Sequence, residues 1–163
     1  MQNPPRTGSP PPSGPPRDGH GRGPGGGGGG PHRRTDDDFR QSIREVFGKD
    51  YVALILNPHG GDYNDYLDRV KRFVQDRARQ ITTSQLRNIF TRVQSAKRPE
   101  QLHVLRPRLA YVAGRSDREE MRELVVLLDD LIREVQTEDR VAAFRSFFEA
   151  VIAYHKYYNP KES

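Results

Sequence analysis

The chain has 163 residues, 33% of them hydrophobic, 30% charged and none cysteine, with a formal net charge of +5. That length suits one ordinary domain, and the missing thiols exclude disulfides, thiolate metal sites and cysteine nucleophiles, which fits a reducing cytoplasm. No stretch approaches 18 apolar residues and the opening MQNPPRTGSPPP lacks a signal peptide's apolar run, so a cytoplasmic protein with no membrane partner is expected.

Residues 1–34 hold 9 of the 13 prolines and 11 of the 15 glycines and contain no Phe, Tyr, Trp, Leu, Ile or Val. Such a segment cannot build a core, and a disordered tail is predicted there, followed by a folded domain over 35–163. Its five arginines against one aspartate are read as keeping the chain soluble rather than as an RNA-binding segment. The glycine run Gly25 to Gly30 lacks the lysine and the strand of a phosphate-binding loop and reads as linker.

Order is expected from HRRTDDDF, where Thr35 or one of the aspartates after it can cap a helix. Phe39, Ile43, Val46 and Phe47 recur at helical spacing until Gly48. The run Tyr51 to Leu56 suits a buried strand or a helix, and with no partner strand in the sequence helix is favoured. NPHGG ends it. From Asp62, the stripe Tyr63, Tyr66, Leu67, Val70, Phe73 and Val74 predicts a helix to about Arg79, with Arg72 and Arg79 outside that stripe.

Thr82 and Gln85 form a capping box for a helix whose inner side is Leu86, Ile89, Phe90 and Val93. Pro107 forbids one straight helix over Pro99 to Gly114 and predicts a restart at Arg106. Ser116 and Glu119 read as a further capping box, opening a helix on Met121, Leu124, Leu128, Leu131 and Val135. Thr137 then starts a last helix on Val141, Phe144, Phe148, Val151 and Ile152, ending at Asn159 and Pro160. The predicted fold is all-α, a compact bundle of about six helices behind a disordered Gly/Pro-rich tail.

Catalytic chemistry finds little support. His20 and His32 fall in the tail, and His59, His103 and His155 lack the i+3 or i+4 partner of a helical metal site, so no metal or other cofactor is expected. His59-Gly60-Gly61 reads as a turn, and His155 as favouring its helix dipole or packing among tyrosines. The pairs Asp129–Asp130 and Glu119–Glu120 read as solvated charge. A small nuclease using His59 or His155 as base is the enzymatic alternative.

Charge partition is more informative. Residues 35–68 carry 3 basic and 8 acidic groups, residues 116–163 carry 7 and 11, and residues 69–115 between them carry 12 Lys and Arg against Asp76 and Glu100. In the restarted helix, Arg108, Tyr111 and Arg115 share a face opposite Leu105, Leu109, Val112 and Ala113. Guanidiniums grip phosphate in bidentate fashion and a tyrosine offers a π face, so this face suits RNA. Arg72, Arg79 and Arg87, grouped about Thr82, Thr83 and Ser84, add to it. The competing reading pairs the basic block with its acidic flanks, or makes it a docking face for an acidic protein.

Three segments, ITTSQLRNIF (Ile81 to Phe90), LRPRLAYVAGR (Leu105 to Arg115) and FRSFFEAVIAYHKYY (Phe144 to Tyr158), resemble the small subunit of type III-A CRISPR (Csm) effector complexes in wording, order and spacing. The resemblance spans roughly residues 36 to 160. It implies a compact helical bundle without catalytic residues, stacked in several copies beside the backbone and large subunits, where it contacts guide and target RNA. Thr83, Arg87, Arg106, Arg108 and Arg115 stand at the matching positions and are the leading RNA contacts; Arg72 and Arg79 rest on charge alone. Phe144, Phe148, Val151 and Ile152 are expected in the core, and Tyr157 and Tyr158 are candidates to face a neighbour.

Overall fold

A computed structural model describes residues 2–5, 7–14 and 32–160. The chain divides into two compact units, 1–32 and 33–163. The described residues of the first unit are exposed and carry no helix or strand. The rest of the expected tail, residues 1, 6 and 15–31, lies outside the described residues.

The second unit is all-helical among its described residues: α1 (Asp36–Phe47), α2 (Tyr51–Leu56), α3 (Tyr63–Arg77), α4 (Thr83–Gln94), α5 (Pro99–His103), α6 (Arg106–Arg115), α7 (Glu119–Glu134) and α8 (Glu138–Tyr158), with 3₁₀ turns at Pro58–Gly60 and Ala78–Gln80. The run Tyr51 to Leu56 is a helix. Val104 and Leu105 separate α5 from α6, and Pro107 sits in the first turn of α6, where its missing N–H leaves no intrahelical bond unmade.

Side-chain caps explain four of the eight helix starts among the described residues. Thr35 caps α1 through a reciprocal box with Asp38, whose carboxylate accepts the Thr35 N–H at 2.7 Å. Asp62 accepts from the Asn64 and Asp65 N–H groups, and Thr137 from that of Arg140. At α4 the Thr82 hydroxyl accepts the Gln85 N–H while the Gln85 amide oxygen accepts the Thr82 N–H at 3.0 Å. Thr82→Ala is expected to cost about 1 kcal/mol of unfolding free energy, read as a lower urea midpoint with an unchanged slope.

The start of α7 departs from expectation. Ser116 and Glu119 form no capping box: Arg118 is the N-cap, without a side-chain hydrogen bond, and Glu119 opens the helix. The buried Ser116 hydroxyl instead accepts the Arg118 N–H at 3.2 Å, and this two-residue turn uses the oxygen that a cap would need.

Helices α7 and α8 organise the core. Helix α8 packs on α2, α3, α4 and α5, while α7 packs on α1, α2, α5 and α6. From α8 come Phe144, Phe147, Phe148 and Val151, and from α7 Met121, Leu124, Leu127, Leu128, Leu131 and Ile132, all buried. Phe47 lies 5.4 Å from Phe73 and 6.4 Å from Phe147 between ring centroids, so one aromatic group joins α1, α3 and α8.

Two further expectations are corrected. Tyr63 is 40% exposed; as the first residue of α3 it lies at the margin of the packed face, and its ring stacks on His59 at 5.3 Å. Asp129 and Asp130 are not solvated charge. Adjacent residues on α7 point to different neighbours, and each carboxylate there meets an arginine. Asp130 takes two hydrogen bonds from Arg40 on α1, at 2.9 and 3.0 Å, and one from the Tyr51 hydroxyl at 2.6 Å. Burial, and then that hydrogen bond, push the Tyr51 phenol well above its ordinary range.

Candidate nucleic-acid interface

Helices α4 and α6 carry several arginines that, among the described residues, have no carboxylate partner. On α4, Leu86, Ile89 and Val93 face the core, and Arg87, Asn88 and Arg92 are left exposed. On α6, Leu109 is buried and Arg108, Tyr111 and Arg115 are exposed, Tyr111 at 63%. Arg115 donates to the Tyr111 hydroxyl at 3.1 Å and holds its guanidinium 5.6 Å from the ring centroid, so the exposed ring is braced.

Between the two helices runs an open groove of about 450 Å³. Ile89, Leu105, Leu109 and Val112 give it an aliphatic lining, and Asn88, Arg92, Arg108 and Tyr111 its polar one. No acidic residue among those described lines it. Among the described residues neither Arg92 nor Arg108 has a carboxylate partner, and the same holds for Arg72, Arg79 and Arg87.

The remaining sequence-derived candidates fall elsewhere. Arg106 turns to α7, where Asp129 accepts its Nε at 2.7 Å and its Nη2 at 3.1 Å. This hydrogen bond, and then the Asp129 charge, raise the guanidinium's hold on its proton above the ordinary value. Thr83 is the first residue of α4 and half-buried. Arg79 is exposed on the 3₁₀ turn before the Thr82 loop. Arg72 is exposed on α3 with Asp68 and Asp76 one turn to either side, an unfavourable setting for a phosphate. The groove thus brings Arg108 and Tyr111 together with Asn88 and Arg92, which sequence reasoning had not singled out. Their i, i+4 spacing beside the inner residue Ile89 was the available signal.

The basic block is partly neutralised from its flanks. Besides Arg106, the buried Arg77 pairs with Glu123 at 2.8 Å through both Nε and Nη2. A second open cleft, of about 790 Å³, places Arg33, Arg40, Arg106 and Arg122 with Asp36 and Asp129 above Ala113 and Gly114. Its charges are mixed, unlike those of the α4–α6 groove.

His59, stacked on Tyr63, and His103 and His155 have structural partners. His103 Nε2 lies 2.8 Å from the Val135 carbonyl. His155 is buried in the last turn of α8, its Nε2 3.1 and 2.6 Å from the carbonyls of Ala78 and Ile81. The Asn159 amide nitrogen lies 3.2 Å from the same ring nitrogen. The two carbonyl contacts tie the end of α8 to the connection that leads into α4. Among the described residues no group of three His, Cys, Asp or Glu could hold a metal ion, and no helix is long and apolar enough to cross a membrane.

A family model described as Csm2 Type III-A matches residues 61–161, from just before α3 through α8. The chain belongs to this family. As a Csm2 protein it is a small structural subunit of a type III-A CRISPR effector complex and assembles with the other Csm subunits. The matched region contains every candidate residue from Arg72 to Arg115 and leaves α1 and α2 outside. No curated protein matches the chain, and no solved structure does.

Proposed function

We propose that this Csm2 subunit grips RNA backbone along α4 and α6 inside the effector complex, stacking in several copies beside the backbone and large subunits, with no reaction of its own. The observation that carries the reading is the α4–α6 groove, rimmed by Arg92 and Arg108 without carboxylate partners and by the exposed Tyr111. Free guanidiniums on an acid-free surface suit phosphates of guide and target RNA. Base pairing reads the sequence in RNA-guided complexes, so a small subunit needs only backbone and shape. The burial of His155, 2% exposed, supports the non-catalytic part, since a base shut away from solvent cannot reach an RNA 2′-hydroxyl. The complex works in the cytoplasm on this reading.

The experiment is target-RNA binding by the reconstituted complex across a salt series. Each phosphate contact on a single strand contributes about 0.7 to the slope of log affinity against log salt. Joint reversal, Arg87→Glu with Arg108→Glu, is expected to lower that slope by about 1.4. Arg106→Gln is expected to leave it unchanged, because Asp129 already occupies that guanidinium. Unchanged binding by the double reversal would sink the RNA reading. The second reading is a protein adaptor that docks an acidic partner in the arginine-lined cleft between α1, α6 and α7. Salt-sensitive binding to a subunit that Arg122→Glu abolishes, with RNA binding intact, would favour it.

A further inference from the structure

The α4–α6 groove is more than a row of cations. Its floor is aliphatic, formed by Ile89, Leu105, Leu109 and Val112, and its volume of about 450 Å³ falls within the ~300–1,000 Å³ of small-ligand sites. A phosphate gains nothing from such a floor. A nucleobase gains burial of an otherwise wet π surface, and it arrives joined to phosphates that suit the rim.

Resting on the reading of α4 and α6 as an RNA face, we propose that the groove is a nucleobase pocket. One unstacked base of RNA lies on the aliphatic floor against Tyr111, with Arg92 and Arg108 on the phosphates that flank it. Asn88 stands at the rim with a planar amide that supplies a donor and an acceptor to a base edge. Tyr111 is suited to the stacking role because it is 63% exposed yet fixed through its hydroxyl by Arg115, so little freedom is lost on binding.

Charge complementarity favours a nucleotide over a protein segment. An apolar side chain from a partner would fill the floor equally well, but it would cover two guanidiniums with no carboxylate in the groove to compensate them. A nucleotide brings the apolar face and the anion in one covalent unit.

The test titrates the purified full chain to millimolar concentration at low salt against two oligoribonucleotides of equal length. One is single-stranded with all its bases, and the other is abasic with the same number of phosphates. The base-bearing strand is expected to bind roughly 5- to 150-fold more tightly, the range that stacking of one base on an aromatic side chain supplies. Tyr111→Ala should close that gap without changing affinity for the abasic strand, and Arg108→Glu should weaken both strands by the same factor. Equal affinity for the two strands, with Arg108→Glu still weakening both, would overturn the pocket and leave the backbone grip standing. Binding of neither strand would overturn the pocket, while the backbone grip stands or falls on the reconstituted complex. In the assembled complex, Tyr111→benzoylphenylalanine should photocrosslink to RNA; crosslinks to protein alone would make the groove a subunit contact and overturn the proposal.

Discussion

Glu123→Ala is expected to lower the unfolding free energy by about 3–5 kcal/mol, the cost of stripping one partner from a buried ion pair. The pair is almost wholly out of solvent: the side chains of Arg77 and Glu123 are 8% and 3% exposed, and two N–H···O bonds of 2.8 Å join them. Arg77 also donates to the Phe73 carbonyl at 2.9 Å and to the Ser42 hydroxyl at 3.2 Å, and its guanidinium lies 4.0 Å from the Phe73 ring centroid. Removing Glu123 leaves this cation buried with neutral partners only. The attraction itself is a different quantity, because both groups were desolvated to make it. Arg77→Met combined with Glu123→Leu is therefore expected to recover most of the loss. Urea unfolding of the single and double variants checks this. A Glu123→Ala loss below about 1 kcal/mol would show that water reaches Arg77 and that the pair behaves as a surface contact. Neither residue lines the α4–α6 groove, so RNA affinity of the folded variants should match that of the parent chain.

The second large effect is expected at Phe147. Its ring is fully buried and stands edge-on to Phe47 at 6.4 Å, and Phe47 in turn packs on Phe73. Truncation to alanine removes the α8 member of the cluster that joins α1, α3 and α8, and should cost about 3–5 kcal/mol. Since a whole domain is stable by only about 5–15 kcal/mol, Phe147→Ala is expected to lower the yield of folded protein. Phe147→Leu keeps much of the volume and should fold with a smaller loss, which makes the site measurable. Near-neutral behaviour of both variants would mean that the ring is not part of the core.

Phe147 also shows where periodicity reaches its limit. The stripe Val141, Phe144, Phe148, Val151 and Ile152 identified one face of α8; the first four are buried and Ile152 is partly buried against the core. A helix covered by α2, α3, α4 and α5 buries a wider arc than one stripe, and Phe147 lies in the extra width. The same distinction accounts for Ser116. The pattern Ser-x-x-Glu satisfies a capping box, but its geometry depends on the backbone path between α6 and α7, where the hydroxyl takes the nearer Arg118 N–H. At Thr35 and Thr82 nothing competes for the hydroxyl, and the boxes form.

For this chain, then, the sequence by itself determined the features that depend on residues within about one helical turn of each other. Those are the caps at Thr82 and Thr137, a helix start at Thr35 or the aspartates after it, the restart at Arg106 that Pro107 forces, most of the inward stripes, the all-helical class and the separation of charge into acidic, basic and acidic thirds. The wording of α4, α6 and α8 also carried the family. Only the tertiary structure decided which cations are free. Arg106 and Arg108 are two residues apart, yet one meets Asp129, 23 positions away, and the other faces an acid-free groove. Arg77 and Glu123 are 46 positions apart, and Arg40 and Asp130 are 90 apart. A charge count along the chain treats all these arginines alike. Pairing is set by which helix faces meet when the apolar stripes are buried, and that is a property of the packed bundle rather than of any segment.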